Sequence, residues 1–335
     1  MRLVAGLVSS SRFETVLIGD PSLSARPMER VARPLREMGA AVTTDGGRPP
    51  IRILGSTLHG IRFEPEVPSA QVKGAVLLAG LAAEGTTTVA ERVPTRDHTE
   101  RLLRVLGAPI RGQGADIALE GPYQHEGFRG TIPGDPSAAA FLLGAAALTG
   151  GEVTIPGVGL NPTRVHLLHV LGRMGVHVEM EIEGEELGEP LGTMRLRPTR
   201  SLRGVDVPAD ELPLVIDEIP LLAALAAHAE GPSRFRGAAE LRVKESDRLS
   251  VLAGGIRALG GEAVDEGDDI VVGGGGLAGG SVRSAGDHRL AMAFVVAALA
   301  ARRPSVVGGV EVAAVSFPGF VSLLRSLGAD VEGLA

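Results

Sequence analysis

No cysteine occurs in the chain, which excludes disulfides, thiolate nucleophiles and cysteine zinc sites together. Tryptophan is also absent, Tyr123 is the single tyrosine and aromatics reach only 3%, so stacking platforms for nucleic-acid bases are poorly supplied. No apolar run is long enough for a bilayer: the longest, Leu290 to Ala301, is 12 residues against the roughly 20 a spanning helix needs. Leu3 to Val8, after Met1-Arg2, imitates the core of a signal peptide but is too short and leads to no cleavage site. Positive charge is not in excess either. Against 40 acidic residues stand 33 basic ones, for a net charge of −7, which argues against a nucleic-acid or membrane-surface partner held by a broad positive field. These features together predict a cytoplasmic protein.

Lysine is nearly missing. Among the 33 basic residues only Lys73 and Lys244 are lysines. A compositional drift toward arginine accounts for the surface, yet a planar guanidinium replaces a compact ammonium poorly where chemistry needs one. The two survivors are therefore candidates for required groups. What is abundant is apolar sequence, 44% of 335 residues, enough for two domains with substantial cores.

A helix-like stretch that ends in Leu/Met-Gly and runs into an alternating strand recurs five times, at 34–44, 102–112, 170–180, 255–265 and 323–333. The marker glycines Gly39, Gly107, Gly175, Gly260 and Gly328 are spaced by 68, 68, 85 and 68 residues. Each sits where a left-handed residue closes a helix. Interleaved with these are Ala/Gly/Leu-rich helices followed by short strands, at 71–91, 137–157, 218–238 and 288–308, and a capless copy at 1–19. They are apolar nearly all round and so belong in a core, the mark of an α/β protein. Polar residues precede the four internal copies: Ser69-Ala70-Gln71, Asp135-Pro136-Ser137, Asp217-Glu218 and Asp287-His288. They serve as N-caps, and helix N-termini sharing one surface also attract anions.

Three groups carry candidate chemistry. Leu241-Arg242-Val243-Lys244-Glu245-Ser246-Asp247-Arg248 is the densest charged cluster. On a helix beginning there, Lys244 and Arg248 would share a face with Glu245 alongside, although such a run also suits a solvated surface. Asp217-Glu218 lies between strongly apolar segments, a setting that suits a general base. Gly286-Asp287-His288-Arg289 sets a cation beside a helix start. Thr95 or Asp97 is read as a cap for a helix over 97–107, and Arg26-Pro27 as the start of another. The Gly273–Gly276 run lacks the Lys-Ser/Thr ending of a phosphate loop and reads as a hairpin loop. His166 and His169 lack acidic support for a metal.

Nine collinear blocks, GDPSLSARPM, PSAQVKGAVLLAGL, TRDHTERLL, GDPSAAAF, GLNPTR, IDEIPLLAALAA, ELRVKESDRL, GDHRLAMAF and SFPGF, resemble those of EPSP (5-enolpyruvylshikimate-3-phosphate) synthases nearly end to end. The resemblance implies a two-domain enolpyruvyl transferase fold of repeated βαβαββ units in inside-out α/β barrel-like domains that close on substrate, divided here as 1–131 and 132–335. It implies transfer of the enolpyruvyl group of phosphoenolpyruvate to the 5-hydroxyl of shikimate 3-phosphate through a tetrahedral ketal, with no cofactor or metal and with a monomer as the working form. By motif, Arg26, Gln71, Arg248 and Arg289 fall where the family binds phosphoenolpyruvate. Ser69, Ala70, Gln71, Arg96, Asp217 and Lys244 fall where it binds shikimate 3-phosphate. Asp217 matches the carboxylate that accepts the hydroxyl proton, Lys244 and Glu245 stand with it as catalytic groups, and Glu245 lies beside the reacting methylene. Lys73 belongs to a variant motif and is expected near the first substrate.

Two departures accompany the match. Met1-Arg2-Leu3 corresponds to the end of a GNAGTxMR motif, so five of six repeat units are expected, with the first missing, and the 335-residue chain by itself is expected to be impaired or inactive. Val315 stands where some relatives carry lysine. Other functions fit less of the sequence. A sibling transferase acting on UDP-N-acetylglucosamine usually relies on an acid cysteine, and RNA 3′-phosphate cyclases need contacts this acidic, aromatic-poor composition does not favour. A non-catalytic fragment that still binds shikimate 3-phosphate is the alternative from a different class.

Overall fold

The computed structural model describes residues 1–333. Two compact units emerge, residues 1–132 with 185–189, and residues 133–184 with 190 onward. All five marker glycines lie in the left-handed region, with φ between +78° and +109°, one residue beyond the C-cap of the helices Glu29–Glu37, His98–Val105, Leu167–Arg173, Arg248–Ala258 and Phe320–Ser326. A side chain at such a residue would strain the turn, which is why glycine recurs at this spacing.

In the first unit, strand Arg48–Leu54 lies between Glu14–Leu17 and Ala41–Asp45, antiparallel to both, with Ile53 opposite Val42. A second sheet is built on Ala83–Ala90. It takes Leu58–His59 and Arg62–Phe63 in parallel and Asp116–Gly121 antiparallel, with Ile110–Arg111 beyond. Helix Ala70–Gly80 joins the parallel strands and is buried on nearly every side, against helix Arg2–Val8. Gly6 makes that crossing possible, because a Cβ there would lie 2.1 Å from the Ala75 carbonyl oxygen.

In the second unit the helices Pro136–Thr149, Ile219–Ala226 and His288–Leu299 pack on one another in a single core with Phe141, Phe294 and Leu221 fully enclosed. Three sheets accompany them: Val178–Glu186/Glu189–Leu196/Val153–Gly159, Asp206–Val207/Ser233–Phe235/Asp269–Val272/Ala263–Glu266, and the parallel pair Ser281–Arg283/Val306–Gly308. The stretch 206–272 runs strand, helix, strand, helix, strand, strand, which is the expected repeat unit. Buried helices and outlying sheets give the inside-out arrangement, and none of the described sheets closes into a barrel.

Two local expectations change. After Gly328 no strand forms among the described residues, since the Val331 and Gly333 carbonyls are taken by the Arg325 guanidinium and no strand edge pairs with them. Gly273–Gly276 is not a hairpin loop. Its amides dock on the 219–226 helix end, Gly275 N–H on Ala229 O at 3.0 Å and Gly276 N–H on Ala227 O at 2.9 Å, and the chain passes to a different sheet.

Candidate active site

In the first unit the predicted residues collect at one helix start. Ser69 approaches in extended conformation and its hydroxyl accepts the Val72 N–H at 3.4 Å, so Ala70 and Gln71 open the Ala70–Gly80 helix. Gln71 is exposed, and its Oε1 accepts from Arg2 Nη1 at 3.3 Å, while Arg2 Nη2 donates to Pro27 O at 3.2 Å. Arg26, half-buried, is the residue before Pro27. Two residues beyond Gln71, Lys73 Nζ donates to Thr95 O at 3.3 Å, and half-buried Arg96 follows Thr95. Ser69, Ala70, Gln71, Arg26 and Arg96 are thus tied to the same spot through Arg2 and Lys73.

Several details differ from the sequence expectation. Arg26-Pro27 does not start a helix: it follows Pro21–Ser24, and the next helix begins at Glu29 with Met28 as cap. The helix predicted over 97–107 spans His98–Val105 with Asp97 at its N-cap position, though the Asp97 side chain makes no cap hydrogen bond and pairs instead with Arg101 one turn on, while the Thr95 hydroxyl donates to Glu91. Lys73 is turned into the core. It is 1% exposed, with Nζ 2.8 Å from Glu91 Oε2 and 2.7 Å from Glu100 Oε1.

In the second unit Lys244, Arg248 and Arg289 gather around Asp217 and Glu245. Arg248 is 1% exposed. Its Nε donates to Asp287 Oδ2 at 2.8 Å and its Nη2 to Glu245 Oε2 at 2.6 Å, whereas buried Nη1 has no hydrogen-bond partner. A buried guanidinium nitrogen without an acceptor is costly unless an anion completes it. Fully buried Asp287 does two jobs, because its Oδ1 also caps the His288–Leu299 helix through the Arg289 and Leu290 N–H groups at 2.9 and 3.2 Å. Asp217 lies 3.8 Å from Lys244 Nζ and 4.0 Å from Arg289 Nη2, and its carbonyl accepts Arg289 Nη1 at 3.0 Å. The side chains of Lys244, Asp217, Glu245 and Arg289 all keep some exposure. The cluster is not carried on one helix as its spacing suggested. Asp247 caps a helix that begins only at Arg248, and Lys244 ends the short turn Ala239–Val243. Arg248 turns inward and Lys244 reaches Asp217 from a loop.

A further network was not legible from residue spacing. Arg164 donates to Asp135 Oδ1 at 2.8 Å and to Ser137 Oγ at 2.7 Å, and the Ser137 hydroxyl donates to buried Glu218. It ties the starts of the Pro136–Thr149 and Ile219–Ala226 helices together, through the residue that follows Asp217. Arg164 lay within the GLNPTR block, which was the only signal for it.

Burial pushes the Lys244 pKa below the usual lysine value. Asp217 opposes that shift and nearby Arg248 adds to it. Burial, reinforced by Arg289, likewise lowers that of His288, favouring a neutral imidazole. No trio of metal-binding side chains exists among the described residues; His166 is instead engaged by Glu211 at 2.8 Å. Neither lysine is fully solvated: Lys73 is enclosed and Lys244 half-buried. Half-buried Lys244 adjoins candidate catalytic groups, whereas enclosed Lys73 does not.

The family model described as EPSP synthase (3-phosphoshikimate 1-carboxyvinyltransferase) matches residues 1–324. The 3-phosphoshikimate 1-carboxyvinyltransferase of Halorhodospira halophila is 50% identical over 99% of this chain and 76% of its own length. That of Acidithiobacillus ferrooxidans is 46% identical over 99% of this chain and 77% of its own. An EPSP synthase structure from Acinetobacter baumannii superposes with a TM-score of 0.88 at 43% identity, covering 99% of this chain and 77% of that one. The chain belongs to the EPSP synthase family.

Proposed function

We propose that, against the expectation of an impaired or inactive chain, it performs the 3-phosphoshikimate 1-carboxyvinyl transfer of its family, with the following division of labour. Arg26, Gln71, Arg248 and Arg289 hold the carboxylate and phosphate of phosphoenolpyruvate. Ser69, Ala70, Gln71, Arg96, Asp217 and Lys244 hold shikimate 3-phosphate. Guanidinium forks suit the planar and tetrahedral oxyanions of the first, and the compact Lys244 ammonium suits a phosphate or hydroxyl of the second. The observation that carries most weight is Arg248, whose Nε and Nη2 are fixed by Asp287 and Glu245 while buried Nη1 waits for an acceptor.

Chemistry then needs two proton movements. In the addition, the 5-oxygen bonds to C2 of phosphoenolpyruvate as its proton passes to Asp217 and a proton is added to the methylene C3. In the elimination, the bond from C2 to the phosphate oxygen breaks, C3 gives its proton back, and phosphate leaves with the bonding pair. Asp217 is assigned the first transfer, with the Lys244 ammonium and the Arg289 guanidinium 3.8 and 4.0 Å away to orient it, and Glu245 is assigned the exchange with C3. The cations that grip the substrates also stabilise the charge passed to the leaving phosphate. A monomer in the cytoplasm is the working form this reading favours, in keeping with the absence, among the described residues, of any helix long and apolar enough to cross a membrane.

Calorimetry followed by a phosphate-release assay tests this. Shikimate 3-phosphate is expected to bind, UDP-N-acetylglucosamine not to bind, and phosphate to appear when phosphoenolpyruvate is added. Binding without release would leave a non-catalytic shikimate 3-phosphate-binding module, and a UDP-sugar acceptor would overturn the proposal.

A further inference from the structure

The most deeply buried ionic cluster among the described residues of the first unit borders residues assigned to substrate: Lys73 lies one turn beyond Ser69, and Glu91 holds Thr95, the residue before Arg96. Lys73, Glu91 and Glu100 are 1%, 5% and 1% exposed. An ammonium has three donors, and those of Lys73 are all used, on Glu91 Oε2 at 2.8 Å, Glu100 Oε1 at 2.7 Å and Thr95 O at 3.3 Å. None is left for a ligand. Glu91 uses both oxygens on Thr95, Oε1 accepting its hydroxyl at 2.6 Å and Oε2 its N–H at 3.2 Å. Thr95 is therefore gripped at its amide, its hydroxyl and its carbonyl, and Arg96 is the next residue.

The two carboxylates bracket that segment, Glu91 at the end of strand Ala83–Ala90 and Glu100 in the first turn of helix His98–Val105. Lys73 draws both to the first turns of the Ala70–Gly80 helix, the one that opens with Ser69, Ala70 and Gln71. Buried charge of this kind is a costly way to hold a core together, since apolar side chains of similar volume do as well or better. What an ion triad adds is direction: three fixed bonds on one backbone segment.

We propose that Lys73, Glu91 and Glu100 form a positioning device that sets the Thr95-Arg96 segment against the start of the Ala70–Gly80 helix, so that Arg96 is pre-aimed at shikimate 3-phosphate. This rests on the assignment of Arg96 to that substrate. Lys73 is then a positioning residue for the reaction, not a substrate contact.

Thr95→Val removes one bond of the grip and leaves the ion triad in place. Calorimetric titration of the full chain with shikimate 3-phosphate should show affinity about tenfold weaker for Thr95→Val, the scale of one lost hydrogen bond to a charged group. Thr95→Ser should restore it. Arg96→Gln should weaken binding further, and Thr95→Val added to Arg96→Gln should cost nothing more, because the threonine acts through the arginine. The triple change Lys73→Met, Glu91→Gln, Glu100→Gln, which removes the charge without opening a hole, should remain folded by circular dichroism yet bind as weakly as Thr95→Val or worse. Parental affinity in Thr95→Val or in the folded triple variant, with Arg96→Gln weakened, would overturn the positioning role alone. So would fully additive losses from Thr95→Val and Arg96→Gln. Parental affinity in Arg96→Gln would instead remove the substrate assignment on which the proposal stands.

Discussion

Replacing Asp287 by asparagine separates the two jobs its carboxylate performs. Asparagine Oδ1 can still accept the Arg289 and Leu290 N–H groups, so the helix cap, worth about 1 kcal/mol, survives. The second oxygen becomes an amide that faces Arg248 Nε, a donor against a donor at a site where both side chains are at most 1% exposed. Removing one partner of a buried pair costs about 3–5 kcal/mol, because the other charge stays behind unpaired. Urea unfolding should therefore show Asp287→Asn less stable by that amount and Asp287→Ala less stable by about 1 kcal/mol more. Arg248 would also lose one of its two anchors, and phosphoenolpyruvate affinity, measured by calorimetry with shikimate 3-phosphate saturating, should fall at least ~30-fold, the equivalent of ~2 kcal/mol. Adding Arg248→Met to Asp287→Asn removes the stranded charge. It should regain a large part of the stability while phosphoenolpyruvate binding stays weak. An Asp287→Asn protein within about 1 kcal/mol of the parent, or binding phosphoenolpyruvate within about threefold of it, would refute the reasoning.

Other perturbations have equally definite outcomes. Burial holds the Lys244 pKa below its ordinary value of 10.5, and bound oxyanions favour its charged form, so shikimate 3-phosphate affinity should fall as pH rises through a midpoint below 10.5; Lys244→Arg should shift that loss upward, and a flat profile to pH 10.5 would contradict it. The same group acts oppositely on folding: between the folded and unfolded pKa values the unfolded chain binds more protons, so this contribution to stability rises with pH in that window. Ser137→Ala removes the hydroxyl between Arg164 and buried Glu218 and should cost about 1.5–3 kcal/mol in denaturant unfolding, with a loss below about 0.5 kcal/mol contradicting the network. Gly6→Ala places a methyl group 2.1 Å from Ala75 O and should destabilise the first unit by about 1–3 kcal/mol, which a thermal unfolding scan would detect.

Most of the architecture was legible because a short-range rule generated it. A glycine closing a helix, followed by an alternating strand, is readable wherever it occurs, and four of the five markers lead into the expected strand. The buried helices were equally plain from their lack of a polar face. What stayed hidden depends on partners far apart in the chain. Ser137 meets Glu218 and Arg248 meets Asp287 only through folding, and Lys73 shows its inward turn only when Glu91 and Glu100 are brought to it. The helix start at Arg248 is hard to read locally, because two acidic residues, Glu245 and Asp247, each fit as a first-turn or cap residue and only backbone geometry selects Asp247. The last strand was misjudged because alternation describes a strand's faces and not whether an edge exists to receive it.

The proton transfer assigned to Asp217 is the step on which the proposed chemistry turns, and phosphate release with an Asp217→Asn protein measures it most directly. Because the change removes a negative charge beside an anionic ligand, shikimate 3-phosphate should still bind, within about threefold of the parent. Phosphate release should drop by about 10²-fold or more, the usual contribution of a positioned base. Turnover within a few-fold of the parent, with binding intact, would contradict the role of Asp217 and the mechanism built on it.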